Sequence, residues 1–476
     1  MHGDLPGDVS GTDLSEAGSV FRNRGFVALW SAQVVSQLAG NMVLAALMAV
    51  VFESTNSITA NAVLILTFLV PAVLFSAIAG VVVERSDARL IMLASNLLRA
   101  GGTLLFIFVG GNIGLILVIN LFISTVTAFF APAELTSLPR IVERRHLMAA
   151  NSVFVLTINA TFAVGFGVLG PLVLKLIGPM AVYIVVAAMF GLAALAIVPL
   201  PTVPPDIKGR AGDATGRAMR ALVNELGEGI AFVRHTPRIA WSLTYLGIAA
   251  SLIGVMGAIG PAFAKDILRL SAQDFFFIVG PAGLGAVLGI LLLNAYGAKI
   301  PRRLLIDVAL LAMGVTLLAL ATVKPVTGFL SPAAHELQGN LPDLLAPIMS
   351  LIAVVVVIAL TAGIEYAFVA IPSQTALQEE LPADVRGRIF GILNTLLSIA
   401  SFLPVLIAPV AADLLNIVFP GAGIPVVMGL LGIGTLVAGV LSWRHNASGG
   451  LHQHDLATPP GGRPPSRREP LASDGE

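Results

Sequence analysis

Long apolar stretches separated by short polar breaks run along the chain from residue 26 to residue 443. A bilayer core about 30 Å thick requires roughly 20 apolar residues per helix, and these stretches have about that length. Strands of a membrane barrel would be shorter and would alternate in polarity. The pattern therefore predicts an all-α membrane protein. The twelve predicted transmembrane helices lie at 26–52, 59–83, 90–110, 113–134, 152–175, 179–199, 239–264, 275–298, 303–323, 346–374, 388–416 and 422–443.

The longest polar break divides this pattern into two sets of six spans. It covers 201–238, opens with Pro201, Pro204 and Pro205, which stop helices, and continues with an amphipathic helix predicted at 218–233. Such a helix suits the anionic inner leaflet of a membrane. We therefore expect a flexible N-terminal tail, a six-helix bundle, a cytoplasmic linker, a second six-helix bundle and a disordered C-terminal tail. Their ranges are 1–20, 21–200, 201–238, 239–445 and 446–476.

Lysine and arginine set the expected orientation. With twelve spans, both termini lie on one side, and the loops on that side hold most of the loop arginines. The opposite side holds only Lys175, Lys265, Arg269 and Lys324. Because basic residues favour cytoplasmic loops, both termini are expected in the cytoplasm of a cell whose plasma or inner membrane carries the protein.

Composition narrows the possible functions. Hydrophobic residues make up 57% and charged residues 11% of the chain, and the net charge is zero, so nucleic acid is not an expected partner. The absence of cysteine removes disulfides and thiolate metal sites. The seven histidines lack metal-ligand spacing, and no Gly-rich loop ends in Gly-Lys-Ser/Thr. We therefore expect no enzymatic activity, no metal and no cofactor.

Polar residues recur at helical spacing inside several predicted spans. Gln33, Gln37 and Asn41 form a stripe in the first span. Further stripes are Asn120, Ser124, Thr127 and Glu134 in the fourth span, Thr361, Glu365 and Phe368 in the tenth, and Asn394, Ser398 and Ser401 in the eleventh. Hydrogen bonds between helices would explain each stripe alone. Their presence in both halves favours a shared aqueous cavity.

Glu365 differs from the other acids because it lies deep in its span. Nine residues separate it from Gln374, which places it about 14 Å from the polar end at 1.5 Å per residue. Desolvation there disfavours the ionised carboxylate, so Glu365 is a candidate to bind and release a proton. A permanently protonated acid, or one paired with a buried donor, is the alternative. Glu53 and Glu134 lie at span ends and are expected to be exposed, whereas Arg99 is expected to snorkel or to pair with an acid.

The loop after the second span carries a recognisable motif, with Gly80, Glu84, Arg85, Asp87 and Arg89 at its key positions. It resembles the signature loop between helices two and three of the major facilitator superfamily. Gly80 would allow close helix approach, and the charges would form a cytoplasmic gate that can open. Two departures are Glu84 in place of the usual aspartate and Ala88 where a basic residue is common.

Three other segments are similar to one branch of that superfamily, the branch of macrolide-efflux proteins and enterobactin exporters. They lie at 21–30, 130–151 and 381–391. The resemblance implies the major facilitator fold, with helices one, four, seven and ten around a substrate cavity. The implied cavity residues are Gln33, Gln37, Asn41, Ser124, Thr127, Tyr245, Glu365 and Phe368.

Two positions depart from this branch. Asn41 is neutral where relatives often carry an acid, and Glu134 stands where they often carry arginine. Because of the first change, the first span has no acid for proton coupling. This makes Glu365 a stronger candidate for that role.

The leading hypothesis is a monomeric secondary transporter, a proton-coupled antiporter that exports an amphipathic small molecule such as a drug, macrolide or siderophore. Its expected partners are the substrate, protons and membrane lipids. An importer or a lipid flippase on the same fold is an alternative. A membrane sensor or assembly partner that transports nothing is another.

Overall fold

The computed structural model describes residues 20–143, 146–202, 233–338, 351–379 and 386–447, together with Gly227, Ile230 and Ala231. All regular secondary structure in these residues is helical, as the sequence predicts. The long helices are α1 (Arg24–Thr55), α2 (Ile58–Glu84), α3 (Ala88–Val109), α4 (Ile113–Ile141), α5 (Leu147–Val164), α6 (Gly170–Ile197), α7 (Pro237–Ala262), α8 (Phe276–Tyr296), α9 (Arg302–Gln338), α10 (Leu351–Glu379), α11 (Arg386–Val418) and α12 (Gly423–Ala447).

Polar residues in the short loops fix where several helices begin. The side chain of Asn23 accepts hydrogen bonds from Gly25 and Phe26 at the start of α1. Ser57, Asp87 and Asn112 cap α2, α3 and α4 in the same way. Because the first backbone amides of a helix have no partner within the helix, these caps let each span start next to the preceding one.

Eleven helical segments in the described residues are long and apolar enough to cross a membrane. One of them, 149–197, has 49 residues and includes the π-helical turn Gly165–Leu169. Within it, Gly178 has φ 82° and ψ 172°, which interrupts α6 directly before Pro179. The predicted spans 152–175 and 179–199 fall on either side of this interruption.

The helices pack as two groups. In the N-terminal group, α1 packs on α6, α2 on α4, and α3 on both α4 and α6. In the C-terminal group, α8 packs on α10, α9 on α12, and α7 on α11. Contacts between the groups join α2 to α7 and α11, and join the π-helical turn to α8.

Glycine makes the tightest of these helix contacts possible. A β-carbon at Gly285 of α8 would lie 1.9 Å from the carbonyl oxygen of Leu360, and one at Gly363 of α10 would lie 1.9 Å from that of Ala282. Small residues of this kind let helix backbones approach closely in membranes. The α8–α10 pair therefore depends on having no side chain at these two positions.

The two groups meet at one end of the molecule. We call it the distal end; it carries the loops at 55–58, 110–112, 268–271 and 419–422, whereas the opposite, terminal end carries Arg24 and Ala447. Phe52 and Ile58 belong to a buried cluster built mainly from the C-terminal group, and Ala258 and Phe275 belong to one built mainly from the N-terminal group. Two further clusters, at the terminal end, each draw on one group only.

Several predicted features lie largely or wholly outside the described residues. These are the tails 1–20 and 446–476, the linker helix 218–233 and the connection at 380–385. The described helices α1, α4 and α12 extend beyond their predicted ends, to Thr55, Ile141 and Ala447.

Candidate functional site

The polar residues of α1 differ in burial along the helix. Gln33 is fully buried, and neither its amide nitrogen nor its amide oxygen has a hydrogen-bond partner in the described residues. Gln37 and Asn41 are half-buried. Asn41 lies against the π-helical turn, because a β-carbon at Gly165 would lie 2.9 Å from that of Asn41. Gln33 therefore offers an unused donor and acceptor, as a binding group would.

The stripe of α4 divides into a packing part and an unpaired part. Asn120 is buried and donates to the hydroxyl of Thr67 on α2 at 2.8 Å, so it joins two helices. Thr127 donates to the carbonyl of Ile123 in its own helix at 2.8 Å. Ser124 is buried and its hydroxyl has no partner in the described residues. Of Asn120, Ser124 and Thr127, only Ser124 has a buried polar atom without a partner in the described residues.

Tyr245 points into the C-terminal group of helices. Its hydroxyl lies 2.6 Å from that of Ser442 on α12, and Ser442 donates to Asp307 on α9. All three side chains are buried. Neither Asp307 nor Ser442 is among the residues predicted from the sequence, although Asp307 is an acid inside the predicted span 303–323. This network ties α7, α9 and α12 together, so the Tyr245 hydroxyl is engaged in helix packing.

Glu365 faces α9. Its Oε1 accepts a hydrogen bond from the buried hydroxyl of Thr316 at 2.8 Å, and its Oε2 is buried without a partner in the described residues. Thr361, one turn away, is exposed and donates to the carbonyl of Ile358 in its own helix. Phe368 packs on a buried cluster that includes residues of α9. Because a buried ionised oxygen without a partner is costly, the site favours a carboxyl that carries a proton.

Glu134 corrects one sequence expectation. Its side chain was expected at an exposed interface, but the residue is only 6% exposed. The reason is that α4 continues through Pro139 to Ile141, two turns beyond the predicted end of the span. One carboxyl oxygen of Glu134 has no hydrogen-bond partner in the described residues.

Arg99 does not extend to the surface. It is buried and interacts electrostatically with Glu134. The residue is 4% exposed, and its guanidinium lies 4.6 Å from the ring centre of Phe130 and 4.7 Å from that of Phe190. It also donates to the side chain of Asn96. Cation–π contacts with two rings stabilise a buried guanidinium. The N-terminal group thus holds a buried charge cluster, whereas the sequence pattern predicted that Glu134 would lie at the interface.

The motif loop is anchored within the N-terminal group. The carboxylate of Asp87 accepts from the backbone N–H of Arg89 at 2.9 Å and so caps α3. The Arg89 guanidinium donates to the carbonyl oxygen of Val198 at the end of α6. Glu84 is exposed, and Arg85 is half-buried. Among the described residues, a β-carbon at Gly80 would have no neighbour within 4 Å, so the expected close helix approach at Gly80 is not seen there in this conformation.

The described residues contain no group of three or more His, Asp or Glu side chains arranged to hold a metal ion. The buried polar side chains of Gln33, Ser124, Glu134 and Glu365 offer hydrogen-bonding atoms.

Comparison with known proteins gives a consistent family. A family model described as Major Facilitator Superfamily matches residues 29–405. The chain is 25% identical over 386 residues to the uncharacterized MFS-type transporter YfiS of Bacillus subtilis, which covers 81% of this chain and 86% of that protein. It is 21% identical over 399 residues to macrolide efflux protein A of Streptococcus pyogenes, with coverage of 82% and 90%. It is 23% identical over 373 residues to the multidrug efflux pump Tap of Mycobacterium tuberculosis, with coverage of 75% and 80%.

Solved structures show the same fold at lower identity. The nucleoside transporter NupG is 13% identical, with a TM-score of 0.63 over 88% of this chain and 98% of that one. A bacterial homologue of the lysosomal transporter Spinster, in an inward-facing and unoccupied conformation, is also 13% identical, with a TM-score of 0.59 over 92% of this chain and 96% of that one.

Proposed function

Since this chain belongs to the Major Facilitator Superfamily, we propose that it is a proton-coupled exporter of an amphipathic small molecule that works by alternating access. The observation that carries the proposal is the meeting of the two helix groups at the distal end, while the buried clusters at the terminal end each draw on one group. Two groups joined at one end can rock about a site between them.

The proposal includes twelve membrane spans in two six-helix bundles. A straight helix of 49 residues would be about 74 Å long at 1.5 Å per residue, more than twice the thickness of a bilayer core. The break at Gly178 supports a division of this segment into two spans. With both termini in the cytoplasm, the distal end is external, and the conformation described is closed to the outside.

Export is the direction that the relatives favour. Macrolide efflux protein A and the multidrug efflux pump Tap are both named as efflux proteins, and both align over three quarters or more of this chain. In the N-terminal group, Gln33 and Ser124 keep buried polar atoms without partners in the described residues, and Gln37 and Asn41 continue the same stripe on α1. A few such groups in an apolar wall suit a substrate that is mostly apolar and carries some polar atoms.

Glu365 is the proposed proton carrier. Its Thr316 hydrogen bond holds one carboxyl oxygen, and the other oxygen is buried without a partner in the described residues, which suits the protonated form. When movement of α10 admits water, the carboxylate can be solvated and the proton released. Phe368, on the same helix as Glu365, packs on the C-terminal core, and Tyr245 bonds Ser442 on α12 in that group.

The motif loop would act in the opposite conformation. When the terminal end closes, the charges of Glu84, Arg85, Asp87 and Arg89 would hold the two groups together there. In the described conformation Arg89 instead bonds Val198 within its own group.

Susceptibility testing is the experiment that separates the candidate functions. A strain that lacks the protein and a strain that overproduces it are compared against a panel of amphipathic toxic compounds. Export predicts that loss lowers tolerance to at least one compound and that overproduction raises it. An importer would give the reverse pattern. The amount of each compound inside the cells is measured in the same two strains. A protein that transports nothing, such as a sensor, would leave that amount unchanged for every compound, which would refute the proposal.

A further inference from the structure

One carboxylate caps a helix of the opposite group. Asp413 lies in α11, five residues before its end at Val418, and approaches the start of α2. Its Oδ2 accepts hydrogen bonds from the Ser57 hydroxyl at 2.7 Å and from the Thr59 backbone N–H at 2.8 Å. Its Oδ1 accepts from the Ile58 backbone N–H at 3.1 Å. Three donors at the start of α2 are therefore satisfied by a residue about 355 positions away in the chain.

This arrangement is chemically strong. The first backbone N–H groups of a helix have no partner within the helix, and the helix dipole places partial positive charge there. Hydrogen bonds from such donors to a carboxylate are shorter and roughly twice as strong as neutral ones. Ser57 also caps its own helix, since its oxygen accepts from the Ala60 N–H at 3.2 Å. Ser57 thus serves both the local start of α2 and the contact with α11.

Neighbouring polar contacts join the same two groups at the same end. Glu53 of α1 accepts from the Ala272 N–H at 3.0 Å and pairs with Lys265 at 3.4 Å. Lys265 also donates to the side chain of Asn56 at 2.7 Å. Lys175 pairs with Asp274 at 2.5 Å. Both partners of the Lys265–Glu53 pair are solvent-exposed, so that pair contributes little, whereas Asp274 is buried and its pair with Lys175 is less screened. The Asp413 contact is the one that satisfies several backbone groups as well as a side chain.

The contact is also suited to being broken. Asp413 and Ser57 are both half-buried. If the distal end separated, water would form hydrogen bonds with the carboxylate and the α2 amides. The free energy of opening would therefore be only the difference between hydrogen bonds within the protein and hydrogen bonds to water. A contact of this kind favours the closed end without making it permanent.

We infer that Asp413 helps to hold the distal end shut, together with the other contacts there, by capping α2 of the opposite helix group until the transport cycle opens that end. No other part of the proposed function assigns Asp413 a role. The inference rests on the proposed alternating access, because a gate matters only if the two groups separate there during transport.

Distance measurements between spin labels test this role directly. The chain has no cysteine, so label sites can be introduced one pair at a time. Gly111→Cys and Phe419→Cys report on the distal end, and Ser86→Cys and Ile300→Cys report on the terminal end; all four sites lie outside the Asp413 contact. The labelled protein is placed in lipid nanodiscs without substrate, and the distance distributions are compared among variants.

Asp413→Asn and Ser57→Ala are the test variants. Ser54→Ala is the matched control, because Ser54 is an exposed hydroxyl near the same helix end that donates to the Val50 carbonyl of its own helix. Each test variant is expected to raise the ratio of open to closed distal ends by about tenfold, the effect expected for losing a hydrogen bond to a charged group. The double variant should show less than the product of the two effects, since both changes break one contact.

Unchanged distance distributions in both test variants, with a folded and monodisperse protein, would overturn the inference. It would also be overturned if Ser54→Ala shifted the ratio as much as Ser57→Ala, or if the two test effects multiplied. Ser57→Ala removes the hydroxyl that donates to Asp413 and caps Ala60, but keeps both backbone donors to Asp413, so it keeps the test valid if Asp413→Asn does not fold. Substrate flux is measured separately. If the variants shift the distance distributions but the unmodified protein transports nothing, the proposed function is contradicted, whereas the role of Asp413 in closing the distal end is still supported.

Discussion

Buried polar residues that look alike in the sequence have different partners in the structure. Gln33 and Asn120 are both buried amides inside membrane helices. Asn120 bonds Thr67 across a helix contact, whereas the Gln33 side chain has no partner in the described residues. The difference separates a residue that joins two helices from one that we propose as a substrate contact.

We expect opposite consequences when each amide is removed. Asn120→Leu should lower the free energy of unfolding by about 0.6 kcal/mol, the average for hydrogen bonds between membrane helices, and leave the range of exported compounds unchanged. Gln33→Leu should leave stability the same or higher and change that range. Thermal unfolding in detergent and susceptibility profiles measure the two effects. Loss of stability in Gln33→Leu with an unaltered compound range would show that Gln33 serves packing.

Glu365→Gln tests the proton carrier at the same scale. Glutamine mimics the protonated carboxyl in shape and can still accept from Thr316, so folding and substrate binding should be nearly unchanged. Flux driven by a pH gradient should be abolished, while exchange between equal substrate pools is retained. Glu84→Gln, at an exposed acid, is the control. A Glu365→Gln protein that transports with the ordinary pH dependence would assign Glu365 a structural role.

Residue-level partners were the least predictable feature of this chain. Hydropathy placed Glu53 and Glu134 at span ends, but only Glu53 is exposed, because α4 extends beyond the predicted end and carries Glu134 inside. Tyr245 was predicted in the cavity, and its hydroxyl partner Ser442 lies 197 residues away. Contacts between distant helices cannot be read from one sequence, since helical spacing fixes a face but does not identify what lies against it.

At the scale of single helices, the sequence was far more informative. Runs of about 20 apolar residues located the spans, and capping residues such as Ser57 and Asp87 mark where α2 and α3 begin. The helical run 149–197 is long and apolar enough to be counted as one segment, whereas the sequence predicts two spans within it. The structure breaks this segment at Gly178, where glycine adopts positive φ directly before Pro179, which lacks an N–H donor.

The close α8–α10 contact gives a test of packing at this scale. Gly363→Ala should lower the free energy of unfolding by about 1–3 kcal/mol, because the added methyl group would overlap the Ala282 carbonyl oxygen. Gly434→Ala is the matched control, since a β-carbon there has no neighbour within 4 Å. The control should be neutral or slightly stabilising, because alanine favours helix. Thermal unfolding of both variants in detergent measures the difference; equal midpoints would show that α8 and α10 are not packed this closely.

At the scale of the whole molecule, two features determine which side of the membrane the proposed substrate site faces. These are the orientation of the chain and the closure of the distal end. The Lys/Arg asymmetry predicts cytoplasmic termini, so the loops at 55–58 and 110–112 would be external. In intact cells, single cysteines at Ser54 and Gly111 should react with an impermeant thiol reagent, whereas one at Ser86 should react only after the membrane is opened. Labelling at Ser86 from outside would reverse the orientation.

Transport itself is measured most directly by flux in everted membrane vesicles that contain the protein and accumulate protons inside. A compound identified by susceptibility testing should enter these vesicles against its concentration gradient, and a protonophore should release it. Vesicles that contain the Glu365→Gln variant should not accumulate the compound. Accumulation that survives the protonophore, or no accumulation of any compound to which the cells show protein-dependent tolerance, would contradict proton-coupled export.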